Sequence, residues 1–194
     1  MKNLKDYILH LDNWIPKNTL TKTITELDIQ NQWAQHQWTN SISYNSRSLH
    51  GDKELEICQS ENLSNKDELM SLTWNAINKY IVIDKMGGKD FNVLKGWKGY
   101  TDLRFNRYSK GQSMAKHCDH IHDVFDGEIK GIPVLSIVGV LNDDYEGGEF
   151  IMFDDYEIKF KPGDIIIFPS IFLYPHLVKP VKKGMRYSFV SWVY

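Results

Sequence analysis

The pattern of hydrophobic and polar residues divides the chain into a helical front and a strand-rich back. In the segment 15–28, Leu20, Ile24 and Leu27 recur at the spacing of one helical face. Pro16 precedes them, and proline is favoured in the first turn of a helix because its nitrogen needs no partner there. The pattern therefore predicts a first helix over 15–28.

A second and stronger helical pattern covers residues 63–83. Ser64 is the predicted capping residue, with Asp67 three positions later. The apolar residues of this segment recur on one face: Leu69, Leu72, Ala76, Ile77 and Tyr80. The glycine-containing stretch "KMGGK" then ends the pattern.

From Tyr100 onward the chain alternates between short apolar runs and turn-forming stretches. The turns contain glycine, proline, aspartate or asparagine, as in "YSKGQS", "LNDDYEGGEF", "FKPGD" and "VKKGMR". Several strands at this spacing predict an antiparallel sandwich or barrel. We therefore expect a mainly β fold with N-terminal helices, in a single domain over 1–194, with a helical front at about 1–95 and a β core at about 96–194.

Composition narrows the class of protein. A chain of 194 residues with 42% hydrophobic residues is long enough for one sizeable core. Its formal charge of −2, without a long basic run, argues against a nucleic-acid partner. The sequence shows neither a signal-peptide pattern nor a membrane-spanning stretch, and two cysteines are too few for a disulfide framework. A cytoplasmic location with reduced thiols is expected; the oligomeric state stays open.

The segment "KHCDHIHD", residues 116–123, has the composition of a metal site. In an extended chain, residues two apart share a face, so His117 and Asp119 point the same way. The only histidine further along is His176, which intervening strands can bring back to them. Two histidines and one carboxylate on one side of an ion form the facial triad of non-haem Fe(II) oxygenases. We predict this set as the metal site.

The other histidines of the segment, His120 and His122, are rival ligands. Together with His117 they would make a three-histidine zinc site, but three such close residues of an extended segment do not converge on one tetrahedron. We predict that both begin the loop after the strand and bind no metal. His10, His36 and His50 have no partner at ligand spacing and are expected to be solvated or packed.

Arg186 lies near the start of the apolar closing segment "RYSFVSWVY". Alone it is readily explained as a surface charge. If it faces inward, its planar guanidinium can hold a dicarboxylate through two hydrogen bonds, with the hydroxyl of Ser188 on the same strand face.

These motifs, taken in order, resemble the 2-oxoglutarate- and Fe(II)-dependent dioxygenases, most closely the prolyl 4-hydroxylase-like branch. The resemblance covers residues 100–194 and rests on "RYSKGQSMAKHCD", "VLND", "EGGEFIMF", "FKPGDIIIFPS" and "PHLVKPVKKGMRYSFVSW". A single HxD motif is a weak signal. The ordered set of HxD, GGE, KPGD, PH and RxS is specific.

The resemblance implies a double-stranded β-helix, a jelly-roll barrel of the cupin-like type, and a role for each matching residue. His117, Asp119 and His176 would bind Fe(II). Arg186 would pair with the distal carboxylate of 2-oxoglutarate. The remaining matches would assist cosubstrate binding or pack near the iron: Tyr108, Ser188 and Trp192. One position departs from the pattern, because Val140 stands where many relatives have a tyrosine before "LN".

The implied reaction is hydroxylation of a substrate C–H bond, with O2 consumed and succinate and CO2 released from 2-oxoglutarate. Ascorbate is a candidate reductant. A peptidyl proline is the first substrate to consider, and a peptide or protein partner is favoured over a small molecule. Two alternatives remain: hydroxylation of a free amino acid or other small metabolite, and a non-catalytic jelly-roll binding domain.

Strand alternation also predicts a substrate-binding face. Asp102, Arg104, Asn106 and Tyr108 share one face of a strand. If Tyr108 points into the barrel, Arg104 and Asn106 line its mouth and, with Trp192, form the predicted substrate-binding set. The stretch 120–132 has glycines and no apolar period, which is typical of a flap that closes over a substrate.

Overall fold

A computed structural model describes residues 2–40, 45–47, 53–59, 61, 63–84, 99–119 and 132–194 of the chain. Within these ranges no helix is both long and apolar enough to span a lipid bilayer.

The elements of the front half are mostly short. They are, in order, a 3₁₀ turn at Leu4–Tyr7, β1 (Leu9–Leu11), α1 (Lys17–Asp28), β2 (Ala34–Gln35), β3 (Trp38–Asn40), β4 (Asn45–Arg47), β5 (Glu56–Gln59), α2 (Lys66–Asn78) and a π-helical segment at Lys79–Asp84.

The back half is formed by strands. They are β6 (Arg104–Tyr108), β7 (Met114–His117), β8 (Leu135–Val140), β9 (Glu146–Gly147), β10 (Phe150–Met152), β11 (Tyr156–Ile158), β12 (Ile165–Pro169), β13 (His176–Val178), β14 (Val181–Lys183) and β15 (Arg186–Val193).

Two antiparallel sheets form the frame of the molecule. The larger has seven strands in the order β1-β12-β8-β15-β6-β5-β2, and the smaller has four in the order β11-β10-β13-β7. One cavity is lined by side chains of both sheets, from β6, β8 and β15 on one side and β7, β10 and β13 on the other. The expectation of a mainly β fold with N-terminal helices is thereby confirmed.

Both predicted helices form, with one correction. The first is α1, which begins directly after Pro16 and buries Leu20 and Leu27. In the second, Ser64 is not the cap: Asn65 occupies that position, and Ser64 instead donates its hydroxyl to Glu26 of α1. The predicted capping box is wrong because a carboxylate from another helix competes for the Ser64 hydroxyl.

The front also contributes strands that the helical pattern does not predict. β1 pairs with β12, and β5 pairs with both β2 and β6 in the larger sheet. At two to four residues, these strands are too short to show a period in sequence. The larger sheet therefore combines strands from the N-terminal and the C-terminal half of the chain. The single-domain organisation stays a prediction.

The larger sheet separates two hydrophobic clusters. On β12, Ile165 and Ile167 face the helices, while Ile166 and Phe168 face the smaller sheet. The cluster on the helix side includes Leu27, Ile77 and Phe105; the cluster between the sheets includes Met114, Phe150 and Val178. The cavity that carries the candidate site opens within this second cluster.

Candidate active site

The three predicted metal ligands come together between strands β7 and β13. His117 ends β7, Asp119 follows two residues later, and His176 begins β13 directly opposite His117 in the strand register. The two imidazole rings lie 4.3 Å apart between centroids. Pairing of two short strands thus joins residues that are distant in sequence.

The ligand atoms have the spacing that one metal ion requires. Asp119 Oδ1 lies 3.3 Å from His117 Nε2 and 3.8 Å from His176 Nε2. Ligands bound at about 2.1 Å and at right angles around an ion are about 3 Å apart, so the set needs little adjustment to close on a metal. With one atom from each residue on the same side, the set fits the facial arrangement that Fe(II) accepts.

Backbone carbonyls orient both rings. His117 Nδ1 lies 2.7 Å from the carbonyl oxygen of Ala115, and His176 Nδ1 lies 3.1 Å from that of Tyr174. A ring that donates its Nδ1–H to a carbonyl keeps the lone pair on Nε2 for a metal. The Nε2 atoms are the ones that face Asp119.

A pair of serines holds the carboxylate. The Ser136 hydroxyl donates to Asp119 Oδ2 at 2.6 Å and lies 2.7 Å from the Ser170 hydroxyl. Both serines are buried, which prevents water from replacing this contact. Sequence reasoning did not identify either serine, because a serine in an apolar strand gives no signal by itself.

Electrostatics favour the protonation states that a metal needs. Burial, reinforced by the neighbouring His117, lowers the pKa of His176 to about 4, so its ring is neutral near neutral pH. Burial opposes ionisation of Asp119, but the neighbouring His176 and His117, together with the hydrogen bond from Ser136, outweigh it and hold the pKa of the carboxyl well below its usual range.

Arg186 lies inside the protein. It is 1% exposed, and one of its terminal nitrogens donates to the Ser188 hydroxyl at 2.9 Å. Its guanidinium carbon lies 5.0 Å from the ring centroid of Tyr108, opposite it on β6. Nε has no partner, and no carboxylate of the described residues pairs with it. A buried, uncompensated guanidinium in a cavity is suited to a ligand carboxylate.

One cavity joins Arg186 to the three ligands and to the predicted face of β6. Arg104, Asn106 and Tyr108 all line it, as strand alternation predicts, and Trp192 lines it from β15. Asp102 is an exception. It lies before the strand, is exposed, and pairs with Lys66 at 2.7 Å.

Burial also affects the charged and polar groups of this face. It raises the pKa of Tyr108, whose hydroxyl therefore stays a donor. It lowers the pKa of Arg104, although an arginine remains charged in proteins. The roles of these residues in binding cosubstrate or substrate stay predictions.

Val140 lies opposite Ser188, so it belongs to the same face of the larger sheet as the cavity residues. Its side chain offers no hydroxyl. Near Arg186, Gly148 lies close to the Arg186 side chain and the ring of Tyr145. A Cβ at Gly148 would approach the Arg186 Cδ to 3.0 Å, so this glycine lets the arginine lie close to the chain.

The structure also contains a buried pair of His36 and Glu54, which the sequence did not predict. His36 is 7% exposed and Glu54 0%, with His36 Nδ1 at 3.8 Å from Glu54 Oε2. Burial, with a contribution from Arg104, lowers the pKa of His36 to about 3. His36 is packed, one of the two outcomes expected for it. Nothing in the sequence around Glu54 indicates that this carboxylate is buried.

A second His/Asp cluster lies on the edge strand β1. His10, Asp12 and Asp164 also have ligand atoms close together. Here Asp164 is already held by His10 Nε2 at 2.9 Å and by the backbone N–H groups of Asn13 and Lys161, each at 2.8 Å. His10 therefore has a partner that its sequence context did not indicate.

Some predicted features lie outside the described residues. They are His50, His120, His122 and the expected flap over 120–132, of which only residue 132 is described.

Comparison with known proteins shows which family the β-rich back of the chain resembles. Residues 103–194 match the family model of the 2OG-Fe(II) oxygenase superfamily, and this range contains the triad, Tyr108 and Arg186. This part of the chain is therefore similar to that superfamily. The resemblance inferred from the ordered motifs is confirmed. Fe(II), 2-oxoglutarate and O2 are the cofactor and cosubstrates that this similarity implies.

The most similar relatives in sequence include two bacterial PKHD-type hydroxylases. The protein of Xylella fastidiosa (strain M12) is 38% identical in an alignment 107 residues long, with coverages of 46% for this chain and 43% for that protein. The protein of Stenotrophomonas maltophilia (strain R551-3) is 37% identical in an alignment 99 residues long, with coverages of 48% and 43%. The chain thus spans less than half of the length of these curated relatives.

Solved structures support the oxygenase fold over nearly the whole chain. A prolyl hydroxylase from Trichoplax adhaerens, solved with a peptide of the hypoxia inducible factor oxygen degradation domain, has a TM-score of 0.71 at 16% identity, covering 97% of this chain and 84% of that one. A Pseudomonas putida prolyl-4-hydroxylase has a TM-score of 0.62 at 17% identity, covering 97% and 92%. The expected jelly-roll fold of the prolyl 4-hydroxylase-like type is confirmed.

Proposed function

We propose that the protein is a 2-oxoglutarate- and Fe(II)-dependent dioxygenase that hydroxylates a peptidyl proline. The observation that carries the proposal is the pairing, in one cavity, of the triad His117, Asp119 and His176 with the buried and uncompensated guanidinium of Arg186. A metal site alone fits many reactions. A metal site beside a buried cation for a dicarboxylate fits this one.

In this proposal the triad holds the iron, and the rest of the cavity binds and orients the reactants. Bound iron, with 2-oxoglutarate and O2, supplies the oxidant that hydroxylates the substrate and leaves succinate and CO2. Arg186 binds the distal carboxylate of 2-oxoglutarate in two hydrogen bonds, with Ser188 fixing the guanidinium and Tyr108 adding a donor.

Apolar side chains exclude water from the reaction. Met114, Val138 and Phe150 line the cavity between the triad and the sheets. A dry cavity strengthens the ion pair at Arg186 and protects a reactive centre from side reactions. No acid–base pair of the chain is required for hydrogen abstraction, since the cofactor carries that chemistry.

The proposal of a peptidyl proline as substrate rests on the names of similar proteins and on the side chains of β6 that line the cavity. The Trichoplax structure is that of a prolyl hydroxylase with a peptide fragment, and the sequence relatives are called PKHD-type hydroxylases. In this chain Arg104, Asn106 and Trp192 line the cavity with polar atoms available for a substrate. A partner that is a peptide or protein, in the cytoplasm, is part of the same proposal.

The test is turnover with a panel of substrates. Wild-type protein with Fe(II), 2-oxoglutarate and ascorbate is incubated with proline-containing peptides and, separately, with free amino acids. We expect succinate and a peptide that gains the mass of one oxygen atom. Asp119→Ala is the matched control, because it removes one ligand and leaves Arg186 unchanged.

The outcomes separate the alternatives. Succinate formation only with free amino acids would replace the peptidyl proline with a small metabolite as substrate. Succinate no higher than in Asp119→Ala, with every substrate, would favour a non-catalytic binding domain and contradict the proposal.

A further inference from the structure

A second, half-buried cation lies in the same cavity as Arg186. Arg104 projects from β6 into the cavity, four residues before Tyr108 on the same strand face. At about 3.4 Å per residue, the two ends of this strand face are roughly 13 Å apart. The cavity thus has one arginine toward each end, and the three metal ligands lie on the facing sheet.

No carboxylate of the described residues lies within ion-pair distance of Arg104. It makes no hydrogen bond with them, and its Nε atom is buried without an acceptor. Its charge is offset only by Asp119 at longer range and by the ring of Trp192, whose centroid lies 4.9 Å from the guanidinium carbon. A cation–π contact offsets only part of the cost of burying a charge.

The indole of Trp192 also has a hydrogen-bond donor without an acceptor. Its Nε1–H is buried and has no acceptor. Two adjacent side chains therefore present hydrogen-bond donors without acceptors at one end of the cavity. Buried donors without partners are costly, so their occurrence together in a cavity indicates a ligand that brings acceptors.

The net charge of the cavity also indicates a ligand with hydrogen-bond acceptors, and one that is negatively charged. The charged side chains lining the cavity are Arg104, Arg186 and Asp119, two cations and one anion. Under the proposed function, Fe(II) and the dianion of 2-oxoglutarate cancel one another. One positive charge remains, and a substrate with a single negative charge neutralises it.

From these observations we infer that Arg104, assisted by the Trp192 Nε1–H, binds a carboxylate of the primary substrate. The inference rests on the proposed function, which it deepens: the group to be hydroxylated lies close to a carboxylate. This carboxylate comes from an acidic residue beside the proline of a peptide, from a C-terminal carboxyl group, or from a free amino acid.

Binding is measured without turnover to separate this inference from the proposed reaction. Matched ligand pairs are titrated calorimetrically, without oxygen, into protein loaded with Mn(II) and 2-oxoglutarate. The pairs are N-acetylproline against its amide, Asp-Pro against Asn-Pro peptides capped at both ends, and free amino acids against their amides. We expect at least one carboxylate to bind about tenfold to a hundredfold more tightly than its neutral counterpart.

Arg104→Gln is expected to remove this preference, and Arg104→Lys to keep part of it. Arg107→Gln is the matched control: it lies on the same strand, faces the other way, and pairs with Glu56. It should keep the preference. In all variants 2-oxoglutarate should bind as in wild type, because Arg186 is intact.

Equal binding of acid and neutral ligands in every pair would overturn the inference, as would a preference that survives in Arg104→Gln or disappears in Arg107→Gln. None of these results bears on 2-oxoglutarate turnover. Conversely, failure of turnover would contradict the proposed function while a carboxylate preference at Arg104 still stood.

Discussion

Two clusters of imidazoles and carboxylates in the described chain have ligand atoms close enough for a metal, yet they differ in what their atoms already do. In the His10 cluster, both oxygens of Asp164 accept hydrogen bonds from the chain, and His10 Nε2 is bound to one of them. Asp12 is largely exposed. This cluster ties the start of the chain to the turn before β12.

In the His117 cluster the ligand atoms of three residues converge on one another. Both Nδ1 atoms are paired with carbonyls, so both Nε2 atoms face Asp119. Ser136 holds one oxygen of Asp119, and the other lies between the imidazoles. Proximity alone therefore does not define a metal site. The surrounding bonds must also turn the coordinating atoms of the ligands toward one point.

The largest expected effect is a loss of metal affinity in the His117 cluster that has no counterpart in the His10 cluster. His176→Ala removes a ligand, and we expect the affinity for Fe(II) or Mn(II) to fall more than about a hundredfold, since loss of an outer partner alone costs about 10–100-fold. His10→Ala should bind the metal as wild type does. Calorimetric titration of both variants measures this, and equal losses would show that the comparison is wrong.

The next effect concerns the buried cation beside the triad. Arg186→Ala should weaken 2-oxoglutarate binding by on the order of 2–3 kcal/mol, roughly 30- to 150-fold, because a charge-assisted pair in a dry cavity is lost. Metal affinity should not change. Isothermal titration with 2-oxoglutarate in the presence of Mn(II) tests it; unchanged affinity would mean that the cosubstrate carboxylate is held elsewhere.

A smaller effect tests the claim that outer bonds prepare the ligands. Ser136→Ala removes the hydroxyl that donates to Asp119 and leaves every ligand in place. We expect metal affinity to fall about tenfold. Ser191→Ala is the control, since that buried serine bonds Thr101 instead. If Ser136→Ala binds metal normally, the serine pair has no part in orienting the carboxylate.

The smallest effect assigns a structural role to the other cluster. Asp164→Asn replaces one carboxylate oxygen by an amide that cannot accept, so at least one buried backbone N–H or His10 loses its partner. We expect the free energy of unfolding to fall by about 1–2 kcal/mol, measured in urea, with metal affinity unchanged. A reduced metal content at constant stability would assign the cluster a metal after all.

Sequence predicted which side chains meet in the cavity better than it predicted the elements around it. The triad and Arg186 belong to ordered motifs, and strand alternation on β6 correctly put Arg104, Asn106 and Tyr108 on one cavity face. Alternation is reliable there because Leu103 and Phe105 must face the helix-side core.

The features that sequence did not predict depend on contacts between distant residues. The burial of Glu54, the partners of His10 and the serine pair under Asp119 all arise when separate elements meet. The same holds for Ser64, whose expected capping role was lost to Glu26. No local period or motif encodes such contacts.

The most direct test is the visible absorption band of 2-oxoglutarate chelated to Fe(II), recorded without oxygen. It requires the metal and the cosubstrate to occupy one site together. We predict the band in wild type, His10→Ala, His120→Ala and His122→Ala, and its absence in Asp119→Ala and His176→Ala. No band in wild type, or a band that survives loss of Asp119 or His176, would contradict the assignment of this cavity as an Fe(II)/2-oxoglutarate site.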